Sequence, residues 1–404
     1  MTPVEADSPS LVVLRTLLAL AVVFVMLATT GWTTITHRPV PGPSREAALA
    51  AWARDRVDHR PLPAPTASAG VVAAYFARLG SARATALAVR HPLVVGNLDG
   101  VPVALRYRAN RITLGRALDA ERGLVRDAGL STEGRHEAQR RLDRFVSLLR
   151  PGRQVLAFDP TGTGRTAEVL GDLTRARHVS VIVPGVDTNL LTFQKTHGRY
   201  GAPAGMARSL YRAEREASPG ARVAVIAWAD YTAPAGVGVD AMTGRLAEGG
   251  AARLVRLAEG LPGHARVALF CHSYGSVLCG VAAPRLPARV TDVAVAGSPG
   301  MRVERAADLR TPARVWAMRD ADDWIADVPH LEVGGVGHGA DPVAPEFGAR
   351  LLSARGAVGH SGYFAPGTES LGNFAAIGAG AYGELVCARA DSACREGISG
   401  TEGR

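Results

Sequence analysis

From residue 154 onward, short apolar runs alternate with stretches that have the apolar spacing of amphipathic helices, such as residues 206–217 and 241–261. Buried parallel strands are apolar along their whole length, so this alternation predicts a mainly parallel sheet with helices on both faces. Ligands of such sheets bind beyond the carboxyl ends of the strands. The predicted strands are residues 155–158, 179–183, 223–228, 267–270, 290–296 and 315–318.

Residues 1–36 contain an apolar run at 11–28 that is interrupted only by Arg15 and Thr16. The run nearly reaches the roughly 20 residues that a helix needs to cross a bilayer. Residues 28–30 make a poor signal-peptidase site, which favours an uncleaved anchor over a removed signal peptide. We therefore expect a membrane-anchored, extracytoplasmic protein, with secretion as the alternative. Acidic residues ahead of the run leave a cytoplasmic orientation open.

The remaining segments differ in composition. Residues 37–66 are rich in proline and are predicted to form a linker, with room for a short helix. Residues 67–152 have mostly helical periodicity, which predicts a helical N-terminal region. Residues 153–404 carry the strand–helix alternation and are the predicted catalytic domain.

The chain has a formal net charge of +9 and a pI near 9.9. Its basic residues are almost all arginines, with Lys195 the only lysine, and they form no run of five or more. This scattered pattern argues against nucleic-acid binding. The expected partners are a small-molecule or lipid acyl substrate and, through the N-terminal segment, a membrane.

The four cysteines do not have the paired spacing of a zinc site, and we predict neither a metal nor another cofactor. Cys387 and Cys394 lie close together, and both a disulfide and two free thiols fit their spacing. Cys271 and Cys279 fall in a predicted strand and helix of the core, which favours buried free thiols.

The strongest chemical signal lies in residues 266–280, where a predicted strand runs into the sequence CHSYGS and then into a helix. This is the context of a nucleophile elbow, a strained turn that lifts a serine hydroxyl above the sheet. Ser273 is the predicted nucleophile, and Gly275 supplies the small neighbour that the turn needs. Cys271 stands where the usual G-x-S-x-G pattern has its first glycine. The alternative reading is a serine that only caps the helix.

The general base and its acid should follow the nucleophile in the order acid, then histidine. Asp323 is the predicted acid because it is followed by x-Ile in the loop after strand 315–318, and Asp320 is the alternative. His360 is the predicted base because it precedes the last predicted helix. His338 is the competitor, but it follows Asp323 by only about fifteen residues.

The predicted roles of Ser273 and His360 follow from the chemistry of serine, because its hydroxyl needs a neutral imidazole to take its proton. The oxyanion that then forms needs backbone donors. One is the N–H of Tyr274, next to the nucleophile. We predict Val186 as the second, because Gly185 lets the loop after its strand turn amides inward. His272 is predicted to be structural.

Several of these segments are similar to an actinobacterial α/β-hydrolase family catalogued as a domain of unknown function. The resemblance implies an α/β-hydrolase fold and supports Ser273 and His360, while Cys271 departs from the glycine of the family's GHSYGS. It supplies no substrate. The matching segments are VGNLDGVP (95–102) with Ala109-Asn110, the VPG loop, CHSYGS (271–276), GADPVAPEFGAR (339–350) and GHSGYFAPGTESLGNFAAI (359–377).

The sequence thus predicts a serine hydrolase that acts through an acyl-enzyme on an ester, including lipid or cell-envelope esters. An acyltransferase or a serine peptidase with the same three side chains is one alternative. The other is a non-catalytic binding module that kept the fold, which Cys271 favours and the retained triad residues oppose.

Overall fold

A computed structural model of the chain describes residues 44–389 and 392–398. The apolar run predicted as a membrane anchor lies outside these residues. Within the described ranges, every helix is too short or too polar to cross a lipid bilayer.

The described chain is built around one eight-stranded sheet. Its strands, numbered along the chain, are β1 (Gln154–Asp159), β2 (Arg165–Gly171), β3 (His178–Val183), β4 (Val223–Ala229), β5 (Arg266–His272), β6 (Val290–Ala296), β7 (Arg314–Met318) and β8 (Arg350–Leu351). They lie in the order β8-β7-β6-β5-β3-β4-β2-β1. Strands β3 to β8 pair in parallel, whereas β2 pairs antiparallel with both β4 and β1. The predicted fold class, a mainly parallel α/β sheet, is confirmed.

All six predicted runs form strands of this sheet. The two strands that the sequence did not reveal are β2 and β8. Strand β2 has the sequence RTAEVLG, in which Thr166 and Glu168 break the apolar run although both are buried. Strand β8 has only two residues, too few for any periodicity.

Helices cover both faces of the sheet. They are α1 (Arg45–Arg54), α2 (Ala69–Leu79), α3 (Ser81–Arg90), α4 (Pro92–Gly96), α5 (Val103–Arg126), α6 (Thr132–Leu148), α7 (Pro203–Ala217), α8 (Val239–Met242), α9 (Arg245–Gly260), α10 (Tyr274–Ala282) and α11 (Glu369–Ala379). Side chains alternate across a strand, so Val181 of β3 lies in a core with α9 and α10, while Ile182 lies in a core with α7 and α11.

The described part of the predicted linker is folded. It contains α1 and a hairpin of Arg56–Val57 with Arg60–Pro61. Trp52 is completely buried, and its indole N–H donates to the carbonyl of Pro63 at 2.7 Å. Proline content therefore did not make residues 44–66 an extended tether, because the tryptophan anchors them in a small core with α2, α3 and α4.

The VGNLDGVP segment contacts the edge strand β1. The Asn97 side chain donates to the carbonyl of Phe158 at 2.8 Å and accepts from its N–H at 3.0 Å. The Asn110 side chain donates to the carbonyl of Val155 at 3.1 Å. In this protein the segment therefore joins the helical region to the sheet.

Glu214 of α7 is fully buried between the sheet and α11. One carboxyl oxygen accepts a hydrogen bond from Ser180 of β3, and the other has no hydrogen-bond partner within the described residues. Gly378 of α11 leaves the space for it, because a Cβ there would lie 2.1 Å from the carboxyl. Burial raises the pKa of Glu214 to about 8 from its usual 4.5.

We expect Glu214→Gln to stabilise the protein increasingly as the pH rises. In the unfolded chain the carboxyl ionises near 4.5, but the folded protein keeps it protonated until about pH 8. The contribution of Glu214 to the free energy of unfolding is therefore fully present below pH 4.5. It is lost as the pH rises toward 8, by about 1.4 kcal/mol per pH unit.

Urea unfolding at pH 5, 6.5 and 8 measures this effect as the difference between Glu214→Gln and the natural protein. Glu216→Gln is the matched control, because Glu216 lies on the same helix but is exposed. A difference that stays constant across this pH range would contradict the expectation.

Candidate active site

Ser273 lies between β5 and α10, in the positive-φ half of the backbone map, with φ 55° and ψ −130°. A non-glycine residue in such a region costs about 1–3 kcal/mol, which the surrounding structure must hold in place. Two glycines make the space. A Cβ at Gly275 would lie 2.2 Å from the carbonyl of Val183, and one at Gly185 would lie 2.6 Å from the Cβ of Ser273. The turn is thus an elbow of the predicted kind.

The structure brings Ser273, His360 and Asp323 into one chain of hydrogen bonds. His360 Nε2 lies 2.9 Å from Ser273 Oγ, and its Nδ1 lies 2.8 Å from Asp323 Oδ1. Asp323 follows β7, and His360 lies in the turn Gly359–Ser361 that precedes α11. Since β5 and β7 are parallel members of one sheet, their carboxyl ends present these loops at the same edge.

The carboxyl of Asp323 is buried and held by three donors. Burial alone would raise its pKa, but hydrogen bonds from His360 and Tyr363 outweigh that effect and hold the pKa below its usual value. Tyr363 donates to Oδ2 at 2.5 Å, and the N–H of Ile325 donates to Oδ1 at 3.0 Å. Asp323 is therefore charged at neutral pH, as a partner for an imidazolium must be. Tyr363 was not among the predicted site residues, although it follows His360 by three positions.

Asp320, the alternative acid, has a different position. Its carboxyl accepts from the N–H of Gly359 at 2.8 Å, and its own N–H donates to the Tyr363 hydroxyl at 3.0 Å. It therefore holds the histidine loop by its backbone, whereas Asp323 contacts the imidazole of His360.

His272 holds the same loop from the other side. Its Nε2 donates to the carbonyl of His360 at 2.6 Å. Burial lowers the pKa of His272 to about 4, so the ring is neutral at pH 7. His338, the competing base, is placed elsewhere, because its Nε2 donates to the carbonyl of Ala241 at 2.7 Å.

The amides of Tyr274 and Val186 stand at the two expected places for oxyanion donors. Tyr274 is the first residue of α10, and Val186 follows β3 in the loop whose Gly185 contacts Ser273. Neither N–H donates a hydrogen bond to another group of the described residues. The buried Tyr231 hydroxyl lies 2.6 Å from the carbonyl of Pro184 and 3.3 Å from that of Gly185. The second contact fixes the peptide that carries the Val186 N–H.

The cysteine predictions need one correction. Cys271 and Cys279, predicted as free thiols, form a disulfide, and so do Cys387 and Cys394. The first pairing was not visible in the sequence because it depends on how α10 folds back over the end of β5. Within the described ranges, no three side chains of the metal-binding types come together.

Exposed apolar side chains lie in the segments that follow β4 and β7 and in the segment before His360, and we call them the apolar rim. The ring of Trp324 lies 4.8 Å from that of His360, with the side chain 48% exposed. The other members are in the segment after β4 that includes the start of α8, in the segment after β7 and in the loop before His360: Val237, Val239, Leu331, Val333, Val336 and Val358. An antiparallel bridge between Thr243 and Val336 joins the first two segments.

A nucleophile elbow on this strand order, with acid and histidine following in that sequence, defines the α/β-hydrolase class. The family model described as "Alpha/beta hydrolase" matches residues 159–333 of this chain. Two uncharacterized proteins of Mycobacterium tuberculosis, from strains H37Rv and CDC 1551, are 27% identical to it over 370 residues. The match covers 76% of this chain and 55% of each relative, so the chain spans about half their length.

The chain is also similar to solved structures of low sequence identity. A dienelactone hydrolase from Anabaena variabilis is 17% identical with a TM-score of 0.30, and the match covers 44% of this chain and 78% of that one. A lipase/esterase from Lactobacillus plantarum is 13% identical with a TM-score of 0.22, covering 42% and 77%.

Proposed function

We propose that this protein is a serine hydrolase that cleaves esters through an acyl-enzyme. The observation that carries the proposal is the hydrogen-bonded chain Ser273–His360–Asp323 at a strained elbow. A helix-capping serine would need neither the strained backbone nor a histidine within hydrogen-bond distance of its hydroxyl. The match of residues 159–333 to an α/β-hydrolase family model supports the same class of chemistry.

The geometry supports a two-step reaction. Ser273 Oγ attacks the ester carbonyl while His360 Nε2 takes the hydroxyl proton, and the Asp323 carboxylate stabilises the imidazolium. The N–H groups of Tyr274 and Val186 stabilise the oxyanion. The intermediate then breaks its bond to the alcohol, which leaves with the proton from His360. Water repeats these steps on the acyl-enzyme and releases the acid.

The proposed substrate is an ester with an apolar acyl group, including lipid and cell-envelope esters. The apolar rim supports this choice, because it would keep an acyl chain out of water beside the nucleophile. Trp324 belongs to this rim, and its ring lies against that of His360.

The proposed location is outside the cytoplasm, either anchored or secreted. The pairing of all four cysteines supports it, since disulfides persist in oxidising compartments. The apolar run at residues 11–28 supports an anchor.

Acyl transfer to a second acceptor is the other candidate. It is favoured by the low exposure of Ser273, which is 5% accessible, because transfer requires that water be kept from the acyl-enzyme. Adding primary alcohols during turnover and analysing the products separates the two: a hydrolase yields mainly acid, and a transferase yields mainly the new ester.

The test of the proposal is reaction of the full chain with a fluorophosphonate probe, followed by p-nitrophenyl esters of increasing acyl length. We expect labelling of one serine, and faster hydrolysis of medium or long acyl chains than of acetate. If the folded protein does not react with the probe, the proposal is wrong and the protein is better described as a non-catalytic binding module.

Tyr231→Phe is expected to lower kcat about tenfold with little change in KM. Losing one direct oxyanion donor costs about 100- to 1000-fold, and Tyr231 acts only by holding the peptide that carries the Val186 N–H. Steady-state kinetics on a soluble ester measures the effect.

Tyr382→Phe is the matched control, because the Tyr382 hydroxyl donates to Asp292 at the opposite end of β6. It should lower stability and leave kcat unchanged. Equal kcat values for both variants would show that Tyr231 serves only stability.

A further inference from the structure

The Cys271–Cys279 disulfide spans the elbow itself. Cys271 lies two residues before Ser273 near the end of β5, and Cys279 lies in α10, six residues after it. Their separation is eight residues, and both side chains are almost completely buried. The small covalent loop therefore contains the strained residue and the Tyr274 amide that follows it.

The strand side of this loop is fixed by the sheet. Cys271 pairs with Val183 of β3 on one side and with Val295 of β6 on the other. Ser273 is tied to the same sheet, because its N–H donates to the carbonyl of Ala296 at 3.0 Å. A bond from Cys271 to the helix thus connects α10 to the most constrained part of the molecule.

The helix side has little freedom as well. A Cβ at Gly280 would lie 2.0 Å from the carbonyl oxygen of Met301, and a Cβ at Gly275 would lie 2.2 Å from that of Val183. Helix α10 therefore packs directly on backbone. A small displacement of the helix would change the direction of the Tyr274 N–H and the position of Ser273 Oγ together.

We propose that the Cys271–Cys279 disulfide is a positioning element of the nucleophile, a covalent clamp in the place where the usual G-x-S-x-G pattern has its first glycine. Glycine at this position leaves room for the helix to approach the strand. A cysteine side chain fills that room, but a bonded sulfur pair, about 2 Å apart, occupies much less space than two separate thiols. The bond lets a larger residue stand there and locks the elbow.

This inference rests on the proposed function for its kinetic readout but not for its structural one. The variant is Cys271→Ala/Cys279→Ala, because alanine removes both sulfurs without leaving two crowded thiols. The control is Cys387→Ala/Cys394→Ala, which removes the C-terminal bridge of seven-residue separation. Should the first variant not fold, Cys271→Gly/Cys279→Ala replaces it, with the first glycine of the G-x-S-x-G pattern at the elbow.

Three measurements on the full chain test the clamp: peptide mapping without reductant, hydrogen exchange across residues 270–280, and the rate of fluorophosphonate labelling. We expect the natural protein to contain the bridge and the elbow variant to exchange faster at 270–280. Its labelling should be about 10- to 100-fold slower, the effect of misplacing a reacting group by about 1 Å. The control variant should keep both the labelling rate and the protection at the elbow.

Free thiols at Cys271 and Cys279 in the natural protein would overturn the inference. So would an elbow variant that labels as fast as the control, whatever its melting temperature. If the natural protein itself resists the probe, the proposed function fails and the hydrogen-exchange measurement alone tests the disulfide clamp. In that case, an elbow variant with the same protection at residues 270–280 as the natural protein would overturn the inference.

Discussion

Replacing Ser273 with alanine is expected to abolish fluorophosphonate labelling and to lower ester hydrolysis by about 1000-fold or more. The hydroxyl at 2.9 Å from His360 Nε2 is the group that would bond to the acyl carbon or to phosphorus. Alanine removes it and leaves the oxyanion donors in place. Gel fluorescence of the labelled full chain and p-nitrophenyl ester hydrolysis measure the two effects.

The matched control is Ser209→Ala. Ser209 of α7 is also buried, and its hydroxyl has no hydrogen-bond partner within the described residues. The same chemical change there should leave labelling and hydrolysis as they are. If Ser273→Ala were labelled as fast as the natural protein, the nucleophile would be a different residue.

Asp323→Asn is expected to lower kcat about 10,000-fold, with the fold intact. An amide in place of the carboxylate cannot stabilise the imidazolium, and it can hold His360 in the wrong tautomer. Asp320→Asn should cost tenfold or less, because Asp320 accepts only the backbone N–H of Gly359, and an amide oxygen still accepts it.

The comparison of these two variants decides which aspartate is the acid. Steady-state kinetics and circular dichroism on both proteins are sufficient, since each change is nearly isosteric. A large loss for Asp320→Asn with a small loss for Asp323→Asn would exchange the two roles.

The sequence predicted the sheet well because its central strands are apolar on both faces, as β3 and β5 are. It could not predict β2, whose Glu168 is buried but satisfied by Arg153, a partner that only the fold brings near. It also gave no role to Asn97, because the strand that this side chain binds lies 61 residues further along the chain.

In the candidate site, too, residues in local patterns were predictable and long-range contacts were not. Ser273 lies in a strand–turn–helix pattern and His360 in a loop before the last helix, and both patterns are visible in the sequence. The contacts that orient them are long-range. Asp320 and His272 hold the histidine loop across 39 and 88 residues, and no local pattern signals either contact.

The hydrogen bonds from Asn97 and Asn110 to β1 affect how the protein behaves in concentrated solution. An edge strand with free N–H and C=O groups can pair with the edge of another molecule and start aggregation. Here amide side chains from the helical region occupy outward-facing backbone groups of Phe158 and Val155. The N-terminal helices therefore keep the open side of the sheet from adding strands of neighbouring copies.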